Sequence, residues 1–183
     1  INSLVGHPGE TPKQGLQALD NPLINISMAA IPGVAIQSVQ DSLIALAEGS
    51  QNFMAVVAPP YGLGSVQNAI DWSNGLYPSR NTAINSSYAA VYWPWVRSWS
   101  PADLKDRWLD PSIFALQAMC NTDAVAETWF APAGLNRARL GSIGSNPPDS
   151  VEVDLSQGDR NTMYSGGNVV NPIVNFALDG VTI

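Results

Sequence analysis

Charge is scarce in this 183-residue chain: eight lysines and arginines stand against fifteen aspartates and glutamates, a formal net charge of −7. So few cations draw no basic stripe, and a nucleic-acid-binding face needs one. Arg137 and Arg139 are the nearest pair, and strand alternation would put both on one solvated side. Histidine occurs once, at His7, so a Ser-His-Asp relay would have to be built on it. That residue precedes Pro8-Gly9 in a stretch that reads as an entry loop, outside the strand-and-turn context a relay requires. Cys120 is alone too, which excludes an intramolecular disulfide and a thiol cluster for zinc. No apolar run approaches the ~20 residues that cross a bilayer. The opening I-N-S-L-V carries no basic n-region of a signal peptide. It also has no initiator Met, and Ile183 falls inside what reads as a strand. The expectation is one core domain over residues 1–183, a fragment of a longer polypeptide.

What is present is apolar: 45% of the residues are hydrophobic, enough for one globular domain with a real core. Ile1 to Gly15 reads as a loop, with a short helix over Lys13 to Leu19. Leu23 to Ile31 alternates through Ile24, Ile26, Met28 and Ala30 as a strand does, and Pro32-Gly33 closes it. Ala35 to Glu48 is an amphipathic helix with Ile36, Val39, Leu43 and Leu46 on one face and Gly49 as its C-cap residue. Phe53 to Ala58 has no polar side chain and predicts a central parallel strand covered on both sides. Ser65 caps a helix reaching Ser73. The stretch Asn85 to Trp93 is rich in Tyr, Trp and Val and predicts a strand that Pro94 ends. Asp110-Pro111 opens the next helix as N-cap and first residue, with Ile113, Leu116 and Cys120 on its apolar face. The alternation of strand and helix predicts an α/β fold, a three-layer α/β/α sandwich around a largely parallel sheet with right-handed crossovers. Beyond it, Arg137 to Ile143 and Val151 to Leu155 read as strands, Gly144 to Ser150 as a loop, and Ser156 with Asp159 as a helix start. Asn171 to Leu178 and Gly180 to Ile183 predict a C-terminal β-hairpin about Asp179-Gly180.

Ligands of open α/β sheets sit beyond the carboxyl ends of the strands. The loops predicted there are Pro32-Gly33, Ala58 to Gly64 and Trp93 to Leu109. The first two hold no ionisable group but the Tyr61 phenol, and the third offers Arg97, Asp103, Lys105, Asp106 and Arg107. That is thin material for acid–base catalysis. Gly62-Leu63-Gly64-Ser65 lacks the third glycine, the lysine and the ribose-binding acid of a nucleotide loop. Glu152, Asp154 and Asp159 are too few and too spread for calcium. The sequons at Asn25 and Asn85 fall in predicted strands and are discounted. No catalytic, cofactor-binding or metal residue is therefore assigned, and the chain is read as no enzyme and as needing no cofactor. Trp93 and Trp95 share one predicted strand face, so a carbohydrate-binding groove remains an alternative, as does a hydrolase on the same scaffold.

The aromatic stretch carries more. Ser87, Tyr88, Ala89, Ala90, Pro94 and Trp95, then Asp123, then Trp129 through Asn136, resemble the central domain of contractile bacteriophage tail sheath proteins. Asn171-Pro172-Ile173 and Gly180-Val181 resemble a further element of that family. Phe130 stands where the family usually has a basic residue, and Gly134-Leu135 intervene before the Asn. The resemblance implies a subtilisin-like fold used without peptidase chemistry. It implies identical subunits wrapped around a tail tube in the virion, contacting each other, the tube protein and the baseplate, with no nucleic-acid partner and no membrane insertion. Assembly would take place in the host cytoplasm. Subunits of the family are linked by terminal arms that add strands to neighbouring sheets. Those arms and the family's C-terminal helical region have no counterpart here, so the 183-residue chain is expected to sediment as a monomer; long tubes in the sedimenting fraction would refute this.

Overall fold

A strand as apolar as Phe53 to Ala58 needs cover on both faces, and the chain supplies it. The computed structural model describes residues 1–21, 23–127, 129–141, 147–165 and 167–183. After a short helix α1 (Asn2–Val5) and a 3-10 turn (Gly15–Leu19) come β1 (Met28–Ala30), α2 (Gln37–Ser50), β2 (Met54–Val57), α3 (Val66–Ser73) and β3 (Ala89–Trp93). An excursion follows: β4 (Val96–Ser100), β5 (Lys105–Leu109), α4 (Pro111–Val125), β6 (Ser150–Val151) and α5 (Gln157–Tyr164). The chain then returns as β7 (Val170–Pro172) and ends in β8 (Val174–Phe176) and β9 (Gly180–Thr182). The main sheet has the order β1-β2-β3-β7, and every pair in it is parallel. Antiparallel β5-β4-β6 and the β8–β9 hairpin flank it.

Strand alternation sorts the core into two halves. Ala55, Val57, Val91, Trp93 and Val170 face α2, α3 and α5, packing on Val39, Leu43, Trp72 and Met163. Val56 and Tyr92 face the other way, onto Phe114, Ala115, Ala118 and Met119 of α4. The α/β/α sandwich, its parallel sheet and the C-terminal hairpin are thus as expected. Helix starts are also where local chemistry places them. Ser65 Oγ accepts the Asn68 N–H at 3.2 Å, and Ser156 and Asp159 form a reciprocal capping box.

Several expectations are corrected. Only Met28–Ala30 of the predicted first strand pairs, because Asn21 turns the chain: its side-chain oxygen accepts from Leu23 N–H and its carbonyl from Ile24 N–H, both at 3.0 Å. Gly49 lies inside α2, and Gln51, at φ 55, closes it instead. On α4 the buried residues beyond the first turn's Pro111 and Ser112 are Phe114, Ala115, Ala118, Met119 and Thr122, while Cys120 is exposed. That helix is apolar nearly all round, so periodicity could not choose its face, and packing on Val56 and Tyr92 of the sheet does. The predicted loop from Trp93 to Leu109 is the β4–β5 hairpin. The predicted strand from Asn171 splits at Ile173, whose N–H donates to Trp93 O at 2.8 Å, so that β7 becomes the fourth sheet strand. Of the strand predicted at Arg137 to Ile143, Arg139 bridges Thr182, while residues 142 and 143 lie outside the described residues. Residues 144–146 of the predicted loop lie outside them as well. Val151 to Leu155 contributes only Val151 to a strand.

One buried carboxylate ties the two sides of the sandwich together. Asp110 accepts Ser112 N–H at 2.8 Å and Ser112 Oγ–H at 2.6 Å at the start of α4, and Gly33 N–H at 2.7 Å from the β1–α2 loop. Replacing Asp110 by Ala removes the cap and leaves the Gly33 donor unpaired, so a loss of ~2 kcal/mol is expected in urea unfolding. Asp110→Asn, which keeps one acceptor, should fall between the two.

Candidate functional site

The carboxyl edge of the parallel sheet is where this architecture usually presents chemistry. Here the chain fills it with ties. Trp95 leaves β3 through a cis Trp93–Pro94 bond, and its indole N–H donates to Pro59 O at 2.9 Å. Tyr61 stands edge-on to Trp95 at 5.6 Å and tilted over Trp108 at 5.8 Å. Glu152 comes in from beyond β6; its Oε1 accepts Gly62 N–H at 2.8 Å, and its own N–H donates to Trp95 O at 2.8 Å. The Glu152 Oε2 is buried without a donor among the described residues. Burial pushes its carboxyl above the usual glutamate range, against the hydrogen bonds from the Gly62, Trp95 and Gly64 backbone. A carboxylate therefore occupies the place where a nucleotide loop would hold phosphate, which opposes anion binding there.

Of the ionisable residues predicted for this edge, all the charged ones but Lys105 are paired. Arg107 lies 3.0 Å from Asp103, and Arg97 lies 3.4 Å from Asp106 and 4.0 Å from Asp149, all at exposed positions. His7 is exposed in the loop after α1, and its ring makes no hydrogen bond among the described residues. Asp159 is committed to its helix cap, held below the usual aspartate range by the Ser156 hydroxyl and backbone N–H, and is not gathered with Glu152 and Asp154. Among the described residues no three His, Cys, Asp or Glu come together as metal ligands. Trp93 is fully buried, so it shares no exposed face with Trp95 and the carbohydrate platform does not exist. Asn25 and Asn85 lie in exposed segments just before β1 and β3 rather than inside buried strands.

The opposite, amino edge holds what the sequence did not reveal. A groove of about 530 Å³ opens there, lined by Met28, Met54, Met119, Tyr92 and Phe130, with Asp123 on its rim. Burial, with Tyr164 nearby, pushes the Tyr92 phenol up to about 12. Trp129 stacks on Phe130 at 4.4 Å, and the Arg137 guanidinium lies 4.9 Å over the Phe130 ring. The sequence analysis placed Met28 inside a predicted strand and Met54 in another, with no sign that the two meet. Segment 134–140 runs alongside β9: Gly134 N–H donates to Ile183 O and Leu140 N–H to Val181 O. The motif residues from Trp129 to Asn136 and Gly180-Val181 thus belong to one structural unit. Asn171 joins that unit to β3 by donating to Val91 O at 3.0 Å.

This is an α/β domain whose carboxyl edge is filled by internal hydrogen bonds and whose recognisable motifs take part in packing. The chain is similar to the tail sheath protein of Vibrio phage KVP40, 26% identical over 191 aligned residues and covering 92% of this chain. It is similar also to the tail sheath protein of Enterobacteria phage T4, 24% identical over 156 aligned residues and 80% of this chain. The resemblance to tail sheath proteins, read from three short elements, extends over most of the sequence. The chain spans about a quarter of the length of these curated relatives, 27% and 22%. No protein-family model matches it.

Because Glu152 takes up its proton more readily in the folded than in the unfolded chain, this group's contribution is complete below the ordinary glutamate range and is lost as pH rises through the raised value. Glu152→Gln keeps an acceptor for Gly62 and removes the charge. Its urea midpoint should equal that of the parent in acid and exceed it slightly at neutral pH; a variant less stable at neutral pH would show that the charged form is what the loop requires.

Proposed function

We propose that residues 1–183 form the core domain of a contractile tail sheath subunit. The observation that carries this is similarity across 92% and 80% of the chain to two proteins named as tail sheath proteins. In this reading copies of the subunit wrap the tail tube of the virion, and the baseplate anchors the lowest copies after assembly in the host cytoplasm. The extended sheath is metastable. On attachment each subunit moves almost as a rigid body, the sheath shortens and widens, and the tube is driven through the host envelope. The free energy comes from differential contacts between subunits in the two states, which a linkage argument demands of any such switch. A rigid core suits that role: α4 and α2 are locked to the same sheet through Asp110 and Gly33. The domain works as a structural part and not as a hydrolase, in keeping with the paired acids and bases at its carboxyl edge.

Negative-stain electron microscopy of the protein with all the flanking sequence its gene encodes should show striated tubes of two lengths and diameters. Uniformly dispersed particles at high concentration, with hydrolysis of a serine-reactive ester, would favour the enzyme reading instead.

A further inference from the structure

The β4–β5 turn is an unusual tip. Turns are ordinarily polar, yet Pro101, Ala102 and Leu104 all face solvent, and Leu104 exposes 73% of its surface at φ 52. The charges around it are mostly spoken for, Asp103 by Arg107 and Asp106 by Arg97. Lys105 is exposed and has no ion pair among the described residues. The tip is thus an apolar knob beside one available cation.

The amino-edge groove has the complementary features. Three of the chain's four methionines line it, and methionine surfaces adapt to inserted side chains. Asp123 on the rim is exposed and has no ion pair among the described residues, and it sits in the last turn of α4, where the helix dipole adds negative potential. The nearby cation, Arg137, is engaged with the Phe130 ring and directs its Nε to Ala131 O at 3.5 Å. Trp129, 77% exposed, stacks on Phe130 of the groove wall and adds an exposed aromatic, the residue type that anchors protein interfaces. Leu104 does not line the groove of its own chain.

We propose that the occupant of this groove is a second copy of the chain: Leu104 of one copy enters between Met28, Met54 and Met119 of the next, and Lys105 meets Asp123. The hairpin is rooted at the carboxyl edge of the sheet and the groove opens at the amino edge, so each copy offers both halves of the joint. Such a heterologous contact continues from copy to copy rather than closing on two. The inference deepens the sheath reading and rests on it. One knob buries far less than the roughly 1,200 Å² of a stable interface, so the contact is weak for isolated chains and gains strength only where many are held side by side.

Disulfide trapping tests it. The chain carrying Leu104→Cys and Met54→Cys, with Cys120→Ser, is oxidised with diamide at high concentration after circular dichroism confirms the fold. Non-reducing electrophoresis should show a ladder of dimers, trimers and larger species. Lys105→Glu should cut the ladder several-fold, and adding Asp123→Lys should restore it. Ser27→Cys, on the same rim, replaces Met54→Cys if that variant fails to fold. A control joining Met54→Cys to Leu178→Cys, another exposed turn residue, should give little product. Products that stop at dimers, or a control ladder as strong, would overturn the contact. Striated tubes from the full-length protein without a ladder would sink this joint and leave the sheath reading standing; a ladder without tubes would do the reverse.

Discussion

A parallel sheet has two apolar faces, and neither can be left to water. That constraint organises the chain. Tyr92 and Trp93 are adjacent in β3 and point to opposite sides, so the same strand nucleates both halves of the core. The crossover helices α2 and α3 arrive on the Trp93 side. Cover for the Tyr92 side has to come from elsewhere, and the excursion after β3 delivers α4 to it. The β4–β5 hairpin is the lead-in that carries the chain from the end of β3 to the Asp110 cap.

The same excursion closes the carboxyl edge. Related architectures leave backbone N–H groups there for ligands. Here Gly33 and Gly62 spend theirs on Asp110 and Glu152, and Pro59 O is taken by the Trp95 indole. These backbone groups are satisfied internally, which ties the loops of this edge to one another.

What could be read from sequence follows from how local each cause is. The caps at Ser65, Asp110 and Ser156 depend on residues within three positions, and the sequence displays them. The β2 run is legible because burial on both faces leaves no polar residue in it. The face of α4 was not, since its apolar residues surround the helix and only contact with Val56 and Tyr92 selects one side. Nor was the β4–β5 hairpin, whose register pairs Arg97 with Trp108 and Trp99 with Asp106, a mixture without clean alternation. Trp93 and Trp95 looked alike in sequence, yet the cis bond at Pro94 and burial part them completely. The amino-edge groove is assembled from all four strands of the main sheet, α4 and the segment after it, a convergence no short window contains.

Arg80 has a consequence of its own. It anchors the long connection between α3 and β3 from within: its guanidinium bonds Asp41, Gln40 and the Thr82 carbonyl, and lies 5.0 Å over the Trp72 ring, with only 2% of the residue exposed. Burial lowers its affinity for the proton and Asp41 opposes that, so the cation is held in place by its neighbours. A trypsin-like protease recognises just such side chains by drawing them into its own acidic pocket. In the folded domain this one is already seated in an equivalent pocket of the protein's making, so the connection from α3 to β3, long as it is, is shielded from digestion at its own arginine.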